Sequence, residues 1–297
     1  MSRIGIIGMG GMGHRIAAEL NDGGHRILTC LAGRSDLSKT RAAQAGADDV
    51  DTLEALISEA EIILSIMPPE DAASVAAKIS DAFKTTGSNA YYVDCNAISP
   101  QTSQGIGAGI VDSGGRYIDA GIIGMPPQNG QRIRLFVSGP DLDALAPLDG
   151  QGLDLKQVGP AIGQASGLKM CYAALTKGQM TLHTAVLMLA YALDLFGPLS
   201  AELELSQNDA WQRMQFTTPF IAPDSGRWVG EMTEIAATFR AAHLPAGFHE
   251  AAAQVFEAAA ATPLAAATRE TADFSTPLSE VVALYTDACQ TALQRNS

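Results

Sequence analysis

Positive charge, cysteine and long apolar runs are all scarce in this 297-residue chain. Nineteen lysines and arginines face 32 aspartates and glutamates, for a formal net charge of -13. Such a chain repels a nucleic-acid backbone and an anionic membrane surface, so neither is expected as a partner. A local basic pocket for a small anion stays open to it. The cysteines, Cys30, Cys95, Cys171 and Cys289, show no CxxC or Cys/His spacing. They read as buried thiols of a reducing compartment, not as disulfides or metal ligands. His183, His243 and His249 also lack ligand spacing, so no metal is expected. The longest apolar run, Ala185 to Leu193, falls far short of the roughly 20 residues that cross a bilayer. The opening "MSRIGIIGMGG" has no secretory h-region or cleavage site. A soluble cytoplasmic protein is the expectation.

What is present is globular: 47% hydrophobic and 17% charged residues, on a length sufficient for two cores. Through residues 1–159, short apolar runs alternate with helical patterns. "RIGIIG", "HRILTCLAG", "EIILSIMP", "AYYVDCN", "RYIDAGIIG" and "IRLFVSGP" read as strands. Helices of about 10–15 residues between such strands imply a parallel sheet covered on both faces, a doubly wound α/β (Rossmann) domain. Residues 160–297 lose the strand signal and read as an all-α domain. It is joined by one long interdomain helix, "SGLKMCYAALTKGQMTLHTAVLMLAYALDLFG", stopped by Gly197-Pro198. Alanine, leucine and methionine there suggest a large apolar surface, part of it expected to form a homodimer interface.

The first strand runs into "GMGGMGHRIAAEL", with Gly8, Gly10 and Gly13 in the order G-x-G-x-x-G. The first glycine allows the tight turn, the second lets a pyrophosphate approach, and the third lets helix and strand pack. Met9, Gly11 and Met12 complete the turn, and the helix N-terminus adds a positive pole for phosphate. Dinucleotide binding is therefore expected. Cofactor choice is read at the end of the second strand, where an acidic residue favours NAD and an arginine favours NADP. The chain has Arg34 and Ser35, with Lys39 a helical turn later. That is a phosphate site, and NADP is expected. Asp36 reads as an N-terminal helix charge. Met67 and Pro68, after one strand, and Asn96, after another, are placed at the strand ends where a parallel sheet presents ligand contacts.

These segments together resemble the β-hydroxyacid dehydrogenase superfamily, which includes 3-hydroxyisobutyrate and 6-phosphogluconate dehydrogenases. The opening is similar to its glycine fingerprint, "IILSIMPP" to its cofactor-side proline loop, and "VDCNAISPQT" to its Ser-Pro segment. "IDAGIIG" stands where the family has its substrate loop, and the resemblance makes Gly121, Ile122, Ile123 and Gly124 substrate-binding. "VGPAIGQASGLKMCYA" resembles the segment carrying the catalytic lysine, here Lys169, six residues after Gly163. "SGRWVGEMTEIAATF", with Arg227 and Trp228, resembles a C-terminal domain of poorly characterised prokaryotic members. The departures are specific. The family serine that grips a substrate carboxylate falls on Ile123, and the asparagine four residues after the lysine falls on Ala173. Decarboxylating relatives have histidine and glutamate where this chain has Tyr172 and Thr176.

Oxidising an alcohol with a nicotinamide moves a hydride and a proton, and one group must serve as base in one direction and acid in the other. A lysine does this when burial and a nearby cationic ring disfavour its ammonium. On a helix, Lys169 shares a face with Tyr172, Ala173 and Thr176, and Tyr172 can donate a second hydrogen bond to the substrate oxygen. His183, nearly four turns on, is about 20 Å away and outside that chemistry. The expected activity is an NADP-dependent dehydrogenase or reductase interconverting hydroxyl and carbonyl on a small molecule, with Lys169 as proton carrier. Imine reduction on the same scaffold, or cofactor binding without catalysis, are the alternatives that Ile123 and Ala173 leave open.

Overall fold

A computed structural model describes residues 1–124, 132–269 and 271–296, the last two without their side chains. The chain separates into two compact units, Met1–Met170 and Cys171–Ser297. The division falls inside the long helix, not ahead of it at residue 159.

In the first unit the strands are β1 (Arg3–Ile7), β2 (Arg26–Thr29), β3 (Asp48–Asp49), β4 (Ile62–Ser65), β5 (Tyr91–Asp94), β6 (Arg116–Ile123), β7 (Ile133–Ser138) and β8 (Leu153–Gly159). They form one sheet in the order β3-β2-β1-β4-β5-β6-β7-β8. All neighbouring pairs are parallel except β6 with β7. Helices α1 (Gly13–Asp22), α2 (Asp36–Gln44), α3 (Leu53–Glu59), α4 (Pro69–Thr86) and α5 (Pro100–Asp112) connect the strands up to β6. This is the doubly wound domain the spacing implies. The antiparallel β6–β7 pair and strand β8 extend it.

Local chemistry starts the helices. Thr52 and Ser99 cap α3 and α5 by accepting N–H bonds from Ala55 and Thr102, and Pro69 and Pro100 enter α4 and α5 in their first turns. Strand alternation then builds two cores. Ile4, Ile6, Leu64, Val93 and Ile118 face Ile16, Ala17 and Leu20 of α1. Ile7, Ile63, Tyr92 and Tyr117 face Leu56, Ile79, Phe83 and Ile110 from the helices of the other side. Each fully buried aliphatic side chain contributes about 1.5–3 kcal/mol.

The remaining helices are α6 (Gln164–Ala192), α7 (Phe196–Ser206), α8 (Asn208–Thr217), α9 (Ala222–Ala241), α10 (Gly247–Ala260) and α11 (Leu278–Asn296). Gly197-Pro198 does not stop the long helix. Helix α6 ends earlier, where Asp194 takes a left-handed φ of 57° and the Leu195 N–H returns to the Ala190 carbonyl. Pro198 lies in the first turn of α7, where its missing N–H costs nothing. The alanine-rich segment is likewise not one helix, because α10 ends at Ala260 and a 3₁₀ turn follows at Pro263–Ala266. The cysteines are not uniformly buried: Cys95 is buried, Cys30 and Cys289 are half-buried, and Cys171 is exposed. Among the described residues, no helix is long and apolar enough to cross a membrane.

Candidate functional site

The candidate residues Gly8, Arg34, Met67 and Asn96 follow the C-terminal ends of β1, β2, β4 and β5. Gly8 holds a φ of 100°, and a Cβ there would lie 2.2 Å from the Ile66 carbonyl oxygen. A Cβ on Gly13 would lie 2.0 Å from the Gly8 oxygen. Both are glycine by necessity. Gly10 and Gly11 are the opposite case, with nothing within 4 Å of where a Cβ would stand. The open side of the turn leads into α1, which has no side-chain cap and no acidic residue in its first turn. A tight turn, an open glycine backbone and an uncapped helix pole make a cradle for phosphate. Of the methionines assigned to this turn, Met12 is half-buried. The Met9 side chain is buried in the core, so Met9 offers the cradle backbone alone.

At the end of β2, Arg34 is exposed beyond Gly33, and Ser35 caps α2 by accepting the Ser38 N–H. Lys39 is exposed and pairs with Asp36 at 3.3 Å. Asp36 therefore lies in the first turn of α2, as its reading as a helix charge implies, and pairs with the lysine. Arg34, Ser35 and Lys39 are all exposed at the start of α2.

Asn96 departs from its assigned contact. It is buried, its Oδ1 accepts the Met67 N–H at 2.7 Å, and its Nδ2 donates to Ser65 Oγ at 3.1 Å. Asn96 ties the loop after β5 to the loop after β4. Met67 and Pro68, half-buried at the head of α4, are the residues held in place.

One register row crosses four strands: Ser65, Asp94, Asp119 and Ser138 stand side by side, all buried. Asp119 is its hub. Its Oδ2 accepts from Ser138 Oγ at 2.7 Å and from the backbone N–H groups of Gly163, Ala165 and Ser166 at 2.9, 2.9 and 3.0 Å. Its Oδ1 accepts from Ser103 Oγ at 2.9 Å and from Ser166 Oγ. The N-terminus of α6 is thus capped by a carboxylate from a strand. Asp94 is different, with Oδ1 accepting the Asn96 N–H at 3.0 Å and Oδ2 buried without a hydrogen bond. Burial, reinforced by Asp119 alongside, raises the Asp94 carboxyl to about 7.

Lys169 lies five residues into α6 and is half-buried. A Cβ on Gly121 would stand 2.9 Å from Lys169 Cβ and 3.1 Å from the Ala165 carbonyl oxygen. Only glycine at 121 lets the lysine's root lie on β6. Ile123, two residues on, alternates to the same face as Asp119 and Gly121, and is buried. Ile122 turns the other way into the α1-side core, so its substrate-binding assignment does not hold. Gly124 follows with a φ of 136°.

The other helical candidates belong to the second unit. Tyr172 is 43% exposed, not packed. The Thr176 hydroxyl donates to its own helix, to the Tyr172 carbonyl at 3.1 Å. Arg227 and Trp228 join a charged cluster: Lys177 pairs with Glu231 at 2.7 Å, Arg227 with Glu231 and Asp224, and Arg269 with Asp224. All three cations lie over the Trp228 ring, at 5.4 to 6.0 Å.

Sequence reading missed Asp119 and Asp94. One signal was available: each is the lone acid of a largely apolar strand, at the end of β5 and in the middle of β6, where a buried carboxylate is costly unless employed.

Residues 3–143 match the family model described as the NAD binding domain of 6-phosphogluconate dehydrogenase. Residues 190–259 match a domain of unknown function, DUF1932. A relative from Methanothermus fervidus, an uncharacterised 28.5 kDa protein, is 29% identical over 202 residues, covering 68% of this chain and 76% of that one. A 3-hydroxyisobutyrate dehydrogenase from Salmonella typhimurium has the same fold, with TM-score 0.70 and 16% identity over 96% of this chain and 100% of its own. An imine reductase from Bacillus cereus gives 0.56 and 15% over 86% and 92%. At such identities the likeness is one of fold.

Proposed function

From a chain whose residues 3–143 are an NAD-binding domain of the 6-phosphogluconate dehydrogenase type, followed by a DUF1932 domain, we propose an NADP-dependent oxidoreductase that interconverts a hydroxyl and a carbonyl on a small molecule. The cofactor, when bound, supplies or accepts the hydride. Gly10, Gly11 and the pole of α1 would hold its pyrophosphate. Arg34, Ser35 and Lys39 would hold the 2′-phosphate, and Met67 and Pro68 would shape the cofactor cleft. Lys169 gives a proton to the substrate oxygen in reduction and takes it back in oxidation. The observation that carries this reading is the seating of Lys169 on Gly121, which fixes one amine-bearing side chain at the ligand end of the sheet.

A panel of hydroxy acids, their carbonyl counterparts and cyclic imines, followed at the nicotinamide absorbance band with both cofactors, tests it. NADPH should support turnover at least about tenfold better than NADH, as expected of one charge-assisted phosphate contact of about 1.5–3 kcal/mol. A tenfold preference for NADH overturns the cofactor assignment. Imine reduction is the second reading, favoured by Ile123, which puts a buried apolar side chain on the face where a carboxylate-gripping hydroxyl is absent. Faster turnover on cyclic imines than on hydroxy acids would select it.

We also propose a homodimer through the helical unit. Leu175, Leu182 and Leu189 recur every seven residues along α6 and are exposed, an apolar stripe that a second copy would cover. A monomer in sedimentation at micromolar concentration refutes it.

A further inference from the structure

We infer that Asp119 is the positioning residue of the lysine: a buried carboxylate that fixes the start of α6 and supplies the uncancelled negative charge beside Lys169. The inference rests on Lys169 being the proton carrier, and it gives Asp119 a role toward that lysine.

Asp119 accepts from the backbone N–H of Gly163, just ahead of α6, from those of Ala165 and Ser166 in its first turn, and from the hydroxyls of Ser103, Ser138 and Ser166. Ser138 Oγ in turn accepts the Ala165 N–H at 3.0 Å, and Ser103 Oγ is bonded to the Tyr117 hydroxyl at 2.9 Å. Gly163 reaches the carboxylate through a φ of 98° that disfavours any other residue. The helix is therefore held in rotation as well as in place. Asp119 and Gly121 are two residues apart on one strand face, about 7 Å, and Gly121 touches the root of Lys169. Asp119 is thus tied to the root of Lys169 twice, along β6 through Gly121 and through the first turn of α6, while its own hydrogen bonds come from N–H and O–H dipoles.

Competitive acetylation with acetic anhydride across a pH series, read by mass spectrometry on the Lys169 peptide of the full chain, measures this without a substrate. Asp119→Asn should lower the midpoint pH of Lys169 labelling by about one unit, since removing a nearby negative charge disfavours the ammonium. Asp119→Glu should recover most of the shift, and Ser138→Ala, which removes a hydrogen bond but no charge, should leave the midpoint in place. An unmoved midpoint in folded Asp119→Asn overturns the inference. If that variant does not fold, amide exchange in the unsubstituted chain decides: Gly163, Ala165 and Ser166 should exchange at least about a hundredfold slower than free amides, and unprotected exchange overturns it. The lysine's own role is judged separately. If Lys169→Ala keeps turnover, that role fails whatever the labelling shows; if it abolishes turnover while the midpoint stays fixed in Asp119→Asn, Asp119 alone is misassigned.

Discussion

The two units bury charge in opposite ways. In Met1–Met170, Asp119 is held by backbone and hydroxyl dipoles, and Asp94 keeps an oxygen with no hydrogen bond. In Cys171–Ser297, Glu231 is held by Lys177 and Arg227, and Asp224 by Arg227 and Arg269. Ion pairs cancel charge and fasten helices. A carboxylate held by N–H and O–H dipoles has no counter-ion among its hydrogen-bond partners. The difference separates a scaffold from a site.

Breaking the paired kind should have the largest effect on stability. Glu231→Gln leaves the Lys177 amine, 11% exposed, without its carboxylate, and should destabilise the second unit by about 3–5 kcal/mol. Chemical denaturation of the full chain would show this as an early separate transition. The double variant Lys177→Met with Glu231→Leu should be nearly neutral, as apolar replacement of a whole buried pair often is. Equal loss in both would contradict the assignment of that pair as a fastener.

Asp94 sharpens the other side of the comparison. Its folded-state value of about 7 lies above the ordinary 3.8, so between those values the folded chain keeps a proton that the unfolded chain has released. Stability from this group is present below about pH 4 and is lost as pH rises to about 7. Asp94→Asn should remove that slope and raise stability at pH 8 by about 1–2 kcal/mol relative to the parent. An unchanged slope in urea titrations at pH 4.5 and 8 would count against a protonated Asp94.

The smallest effect belongs to the exposed corner after β2, which has neither kind of burial. Arg34→Ser should weaken NADPH binding about tenfold and leave NADH binding unchanged, about 1.4 kcal/mol, because a solvated arginine competes with water for its phosphate. Isothermal titration with both cofactors reads it directly. Equal weakening for both would detach Arg34 from the 2′-phosphate.

What could be read ahead of the coordinates follows from the range of the forces involved. The glycine turn was legible because its φ of 100° at Gly8 and the Gly13 contact with the Gly8 oxygen belong to one strand-turn-helix unit, although Gly8 also meets the Ile66 carbonyl from β4's end. Parallel strands such as "EIILSIMP" were legible because burial on both faces leaves an unbroken apolar run. Strand β8, "LDLKQVG", was not, since it lies at the sheet edge and keeps charged residues. Gly197-Pro198 misled because proline inside the first turn of a helix and proline beyond its end look alike without the cap. Asn96 was placed at the correct end of the sheet, but whether its amide faces a ligand or a neighbouring loop depends on Met67, 29 residues away. Asp119 depends on Gly163, Ala165 and Ser166, more than 40 residues on. Half of its partners are backbone groups, which a sequence does not display, and the rest are serines spread over Ser103, Ser138 and Ser166.

The account rests on one amine. Lys169→Ala, assayed on whichever panel substrate the parent turns over, should lose about 10²- to 10⁴-fold in kcat, the usual worth of a positioned proton carrier, while NADPH affinity stays within about twofold. Turnover within a few-fold of the parent, with cofactor affinity intact, would contradict it.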